Sequence, residues 1–194
     1  MQSGEKEQKI NMILRSSKSA GPLKVGFLLI PNFSMLAFAS AIEPLRAANR
    51  MSGDTLFSWI VASPDGMQSR ASNHVKTEVD GDSTILADCH IVFVCAGLDV
   101  KAQSDKSILN MLRRLDRQGA VIGAICTGTY LMAAAGLLDD RRCTIHWENI
   151  DGLAEEFPLL EITNELFEID DTRITCSGGT ASLDMILYMI GQIH

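Results

Sequence analysis

Val121-Ile122-Gly123-Ala124-Ile125-Cys126-Thr127-Gly128 decides how this chain is read. The first five residues are apolar or small without alternation, the pattern of a short strand buried on both faces. Thr129 to Ala135 then reads as a helix. Cys126 falls on the tight strand-to-helix turn between them, flanked by small residues, which is the geometry of a nucleophile elbow with a thiol in place of a hydroxyl. Such a turn lifts the side chain to the sheet edge. The positive end of the following helix favours a thiolate there. A pocket is therefore expected at Cys126, and His146 follows twenty positions later.

Working outward, Leu23 to Ile30 is a near-continuous apolar strand, followed by the loop Pro31 to Ser34 and a helix over Met35 to Arg50, with Pro44 at a kink or restart. Phe57 to Ala62 and His90 to Cys95 read as further strands, the latter ending at Ala96-Gly97. Ser104 to Gln118 is an amphipathic helix with Ile108, Met111, Leu112 and Leu115 on one face. Cys143 to Trp147 reads as a strand and Glu148 to Glu156 as a helix. Glu161 to Ile169 and Arg173 to Cys176 flank a turn at Asp170-Asp171, a hairpin. A last helix runs from Thr180 to Ile193, with Leu183, Ile186, Leu187 and Ile190 inward. Met185, Tyr188, Met189 and Ile193 put apolar surface on its other faces, so it is either deeply buried or packed on a partner. The alternation predicts an α/β fold: a flavodoxin-like, doubly wound, mainly parallel sheet with helices on both faces, plus a small hairpin near the C-terminus. Residues 1–22 are polar and read as a flexible tail, with a frayed helical turn at Ile10 to Leu14, ahead of one domain over 23–194.

The chain has 194 residues, 46% of them hydrophobic, enough for one substantial core. The net charge of -7, with no basic helix, argues against this polypeptide gripping nucleic acid by itself. No apolar run approaches a membrane span, and no signal peptide is evident. Five cysteines without paired or zinc-like spacing read as reduced thiols of a cytoplasmic protein. No metal and no cofactor is implied.

In a doubly wound sheet, ligands lie beyond the carboxyl ends of the strands, where strand order reverses. Asn32 and Phe33, Gly97 and Leu98, and Cys126 and Thr127 stand at those ends. If the strand Cys143 to Trp147 runs beside the elbow strand, it brings His146 to Cys126 as base or charged partner. Backbone N–H groups of Thr127 and of Gly97 or Leu98 would hold an oxyanion or a carboxylate. Trp147 with Glu148 would wall a cationic ligand; otherwise Trp147 is core or a lid. Cys126 itself is a pocket residue or an inert core thiol, and His146 a partner or a structural residue. Ser177-Gly178-Gly179-Thr180 reads as a helix entry rather than a phosphate loop.

These residues resemble the PfpI-like branch of the class I glutamine-amidotransferase-like superfamily. The likeness rests on Ala124-x-Cys126-x-Gly128, Ala135-Gly136-Leu137-Leu138-Asp139, Thr144-x-His146-Trp147 and Ser177-Gly178-Gly179-Thr180-Ala181-x-x-Asp184. Pro31 to Arg50 is most similar to the sensory half of GlxA-type regulators of the AraC/XylS family, in the subgroup responding to arginine, carnitine or glycine betaine. The resemblance implies a ligand-sensing, dimerising domain, with DNA contacted only through a helix-turn-helix domain expected after this chain. Enzymes of the branch keep an acid in the loop after the first strand, where Ala37 stands here, and many carry histidine at the position of Thr127. Two other readings remain: a cysteine-dependent hydrolase or hydratase of a small carbon–nitrogen substrate, with Cys126 and His146 catalytic, and a redox-sensing thiol at Cys126.

Overall fold

The computed structural model describes residues 21–193. The expected tail, save Gly21 and Pro22, and the turn at Ile10 to Leu14 lie outside the described residues. In chain order the elements are β1 (Leu23–Leu29), α1 (Met35–Ser52), β2 (Phe57–Ser63), β3 (Ser69–Arg70), β4 (Lys76–Thr77), β5 (Gly81–Asp82), β6 (Ile91–Cys95), α2 (Lys106–Arg117), β7 (Val121–Ile125), α3 (Gly128–Ala134), β8 (Arg142–Cys143), α4 (Ile150–Glu156), β9 (Glu161–Ile162), β10 (Phe167–Asp170), β11 (Arg173–Cys176) and α5 (Ala181–Ile193). A 3-10 helix over Ser83–Asp88 precedes β6. The segment from Ser69 to Asp88 gave no periodic signal, because its strands are two residues long.

Seven strands form one sheet in the order β10-β11-β7-β6-β1-β2-β5. Every neighbouring pair is parallel except the β10–β11 hairpin. The chain leaves β1 for β2 on one side and later crosses to β6 on the other, so strand order reverses at β1. The loops after β1 and β6 part there, next to the elbow at the end of β7. This is the doubly wound α/β fold read from the sequence.

Apolar strands need cover on both faces, and two cores supply it. On one side, α1 and α5 pack over Phe27, Phe93, Ile125 and Ile174. Phe38 of α1 meets Phe27 edge-on at 5.5 Å and Phe33 at 5.8 Å, while Phe27 stacks on Phe93 at 5.9 Å. Each such buried ring contributes about 1.5–3 kcal/mol. On the other side, α2 seats Ile108, Met111, Leu112 and Leu115, all buried as their spacing predicts, beside Leu131 and Met132 of α3. Ser34 caps α1 by accepting the Ala37 N–H at 3.3 Å, worth about 1 kcal/mol. The helix continues through Pro44 instead of restarting there.

Two expectations change. The strand expected over Cys143 to Trp147 shrinks to Arg142–Cys143, pairs with β9 outside the main sheet, and is not a neighbour of β7. Strand β11 holds that place, since the hairpin returns Cys176 alongside Ile125. The inward stripe of α5 is Ser182, Met185, Ile186 and Met189, whereas Leu183 and Leu187 face outward, 39% and 51% exposed. Apolar residues around the whole circumference of α5 left its rotation unspecified by pattern alone.

Candidate functional site

Cys126 occupies the elbow with φ 62°, a left-handed conformation that costs a non-glycine residue about 1–3 kcal/mol. The surrounding loops hold it there. Cys126 N–H donates to the Cys176 carbonyl at 3.0 Å. The Thr127 hydroxyl donates to the Gly97 carbonyl at 2.6 Å, tying the elbow to the loop after β6. That loop is locked in turn to the loop after β1, since Leu98 N–H donates to the Asn32 carbonyl at 3.0 Å. Gly97 permits the approach: a Cβ there would fall 2.2 Å from the Asn32 oxygen.

Asn32, Phe33, Gly97, Leu98, Cys126 and Thr127 thus come together as the strand ends predict, but as a packed knot. Phe33 is fully buried against Phe38, and Leu98's N–H, a candidate oxyanion donor, is already committed to Asn32. The thiol is 5% exposed, with Gly178 laid over it. Burial pushes its pKa up to about 11, outweighing the Thr127 N–H that favours the thiolate. The helix end therefore does not activate this cysteine; desolvation wins.

His146 and Trp147 follow β8, outside the main sheet and not on a strand beside β7. The segment carrying them is anchored at its start, where Arg142 N–H donates to Asp170 at 2.8 Å and the Arg142 guanidinium meets Glu168 at 2.7 Å. The His146 ring sits 3.7 Å from the Glu148 carboxylate and 5.8 Å from the Trp147 ring centre. Trp147 opens a 3-10 turn and is 71% exposed, so it is not core.

His146 and Trp147 line a cavity of about 610 Å³ above the elbow, with Leu36 of α1, Leu166, Ser177 and Thr180 on its other walls. Glu165 and Asp184 are its carboxylates, and its lining contains no lysine or arginine. Two further hollows are of similar size, about 590 Å³ beside Arg114 and Arg117, and about 620 Å³ between α1 and α5. Chemistry rather than size distinguishes the elbow cavity: apolar walls, an exposed indole and unopposed acids. Among the described residues no cluster of His, Cys, Asp and Glu could hold a metal ion. The run Ser177 to Thr180 was conspicuous in the sequence, whereas Leu36, Glu165 and Leu166 carry no local signal and are brought in by the fold.

The chain is similar in sequence to helix-turn-helix regulators: it is 48% identical over 168 residues to CdhR of Pseudomonas aeruginosa, covering 87% of this chain and 50% of that protein. It is 42% identical over 183 residues to GlxA of Rhizobium meliloti, covering 91% and 55%. The chain spans about half the length of these curated relatives. A weaker likeness, 24% identity over 177 residues, joins it to the isonitrile hydratase of Pseudomonas putida, covering 88% and 72%. Among solved structures, an AraC family transcriptional regulator from Pseudomonas putida superposes with a TM-score of 0.79 at 25% identity, covering 89% of this chain and 93% of that one. The elbow, the doubly wound sheet and the match of residues 24–192 to the DJ-1/PfpI family place this chain in that family.

Proposed function

We infer that this is the effector-binding and dimerising domain of an AraC-type transcriptional regulator that senses a small amine, betaine or amino-acid-like metabolite in the cytoplasm. DNA would be contacted only through a separate helix-turn-helix domain, as the names of its relatives suggest. The observation that carries the reading is the elbow cavity. Its apolar walls and the Trp147 face suit an alkylated ammonium group, Glu165 and Asp184 supply the opposite charge, and no lysine or arginine in the lining competes. Dimerisation is supported by the exposed apolar groove between α1 and α5, with Met51 88% exposed and the paired charges of Glu43 and Arg46 at its rim. Among the described residues no helix is long and apolar enough to cross a membrane.

A cysteine-dependent hydrolase or hydratase is the second reading, favoured by the elbow geometry and by the distant hydratase. The buried, protonated thiol, covered by Gly178 on its side of the cavity, weighs against it. Thermal unfolding of the wild type and Cys126→Ser against arginine, carnitine, glycine betaine, simple amides and aldehydes decides between them. A sensor gains about 2.7 kcal/mol at a hundred times the dissociation constant in both proteins, with the compound recovered intact. Stabilisation or consumption that requires the thiol would favour the enzyme.

A further inference from the structure

Three walls of the elbow cavity come from separate parts of the chain: the segment Ile145–Trp147, the turn around Glu165–Leu166, and the loop Ser177–Thr180. No sheet hydrogen bonds join the first two, since β8 ends at Cys143 and β9 at Ile162. One residue does. Thr144 is 1% exposed and engages a different element with each polar group. Its N–H donates to the Thr175 hydroxyl of β11 at 2.9 Å. Its carbonyl accepts the Thr129 hydroxyl, from the first turn of α3, at 2.8 Å. Its own hydroxyl donates to the Glu165 carbonyl at 2.8 Å. Thr129 and Thr175 are themselves fully buried, so water cannot substitute for the first two bonds, while the third lies at the edge of the cavity.

We propose that Thr144 is the positioning residue of the elbow cavity, setting the distance between the His146–Trp147 wall and the Glu165–Leu166 wall from a frame fixed to the elbow helix. The frame extends to the third wall, because both the N–H and the hydroxyl of Ser177 donate to the Leu166 carbonyl, at 2.9 and 3.1 Å. Releasing the Thr144 hydroxyl therefore frees Glu165 and Leu166 relative to Trp147; since Thr144 also lines the cavity, amide exchange in the ligand-free protein separates its hold on the walls from any contact of its own with a ligand. The proposal rests on the reading of this cavity as an effector site, and its effect is on geometry rather than on contact chemistry.

Thr144→Val keeps the side-chain shape and removes the hydroxyl; Thr144→Ser keeps the hydroxyl. Calorimetric titration with glycine betaine, L-carnitine and L-arginine is expected to show binding by the wild type, within twofold in the serine variant, and weakened at least tenfold in the valine variant. Exchange of the Ser177 amide, which donates to the Leu166 carbonyl, is expected to accelerate at least tenfold in the valine variant and not in the serine one, while exchange in β1 and β6 is unchanged. Wild-type affinity in a folded Thr144→Val, or equal loss in Thr144→Ser, overturns the proposal. If Thr144→Val does not fold, Thr175→Val, which removes only the acceptor of the Thr144 N–H, is expected to show the same direction, and its wild-type behaviour would overturn it. If the wild-type protein binds none of the three probes, the effector reading fails on its own. The exchange rate then judges the frame: acceleration restricted to the valine variant sustains it, and an unchanged rate at Ser177 overturns it.

Discussion

Gly178 lies directly on Cys126: a Cβ placed on the glycine would sit 2.7 Å from the cysteine Cβ and 3.0 Å from its sulfur. The backbone at residue 178, left-handed with φ 89°, is therefore the roof of the elbow. A thiol so covered is withheld from reagents as well as from water.

Alkylation measures this. With the Cys126 pKa near 11 against an ordinary 9.0, the native thiolate at neutral pH is about a hundredfold scarcer than in the unfolded chain. Iodoacetamide at pH 7.5 is expected to modify Cys126 at least a hundredfold more slowly in native protein than in urea, as read by peptide mass spectrometry. Native labelling at the unfolded rate would show the roof to be open.

The same thiol sets a pH dependence. Its folded pKa lies above its unfolded one, so between about pH 9 and 11 the folded state binds more protons and stability falls as pH rises. The contribution is complete below pH 9 and amounts to something on the order of 2 kcal/mol. Cys89 and Cys143 are also pushed up by burial, to about 11 and 12, so the wild-type decline is steep. Urea midpoints for Cys126→Ala from pH 8 to 11 should fall less steeply than those of the wild type.

Glycine substitutions should split by location. In Gly97→Ala the new methyl meets backbone, the Asn32 oxygen at 2.2 Å and Ser34 N at 2.9 Å, which cannot move aside cheaply. A loss of about 3 kcal/mol in urea unfolding is expected. Gly152 lies inside α4 with nothing within 4 Å of its added Cβ, so Gly152→Ala is expected to gain about 0.5–1 kcal/mol.

Trp147 separates binding from folding. Being largely exposed, its replacement by alanine should leave stability within about 0.5 kcal/mol. If its indole face holds the ammonium group, Trp147→Ala weakens glycine betaine or carnitine binding about tenfold or more, and betaine quenches indole emission in the wild type but not in the variant. Equal affinity in both proteins would remove Trp147 from the site.

The groove between α1 and α5 gives the last expectation. Leu187 is half exposed within it, so Leu187→Glu should sediment as a monomer at concentrations where the wild type sediments as a dimer, without loss of thermal stability. A wild type that is monomeric throughout would remove the dimerising part of the proposed function.

The elbow, the parallel strands and the buried face of α2 were legible because each is a local pattern: unbroken apolar runs, a small-residue turn, a 3.6-residue stripe. What failed to show locally was adjacency. Strand β11 lies fifty residues after the elbow strand yet takes the place beside it, which displaces the segment bearing His146 into extended chain. The cavity wall at Glu165–Leu166 was invisible for the same reason. Its position depends on a side-chain bond from Thr144, not on a ladder that periodicity could reveal. The rotation of α5 was ambiguous because methionines and leucines alternate around it, and only packing against α1 and β10 chooses between them.

The two margins of the sheet bear on assembly. One ends in β5, which is two residues long. At the other, β10 is only four residues long and β8 packs beside it, with the Arg142 N–H donating to the buried Asp170 carboxylate. Neither margin offers a long free row of backbone donors and acceptors for another strand to extend. Growth by strand addition, the route to fibrils and runaway aggregation, is thereby denied to this domain, and contact with another molecule falls to its helices and loops.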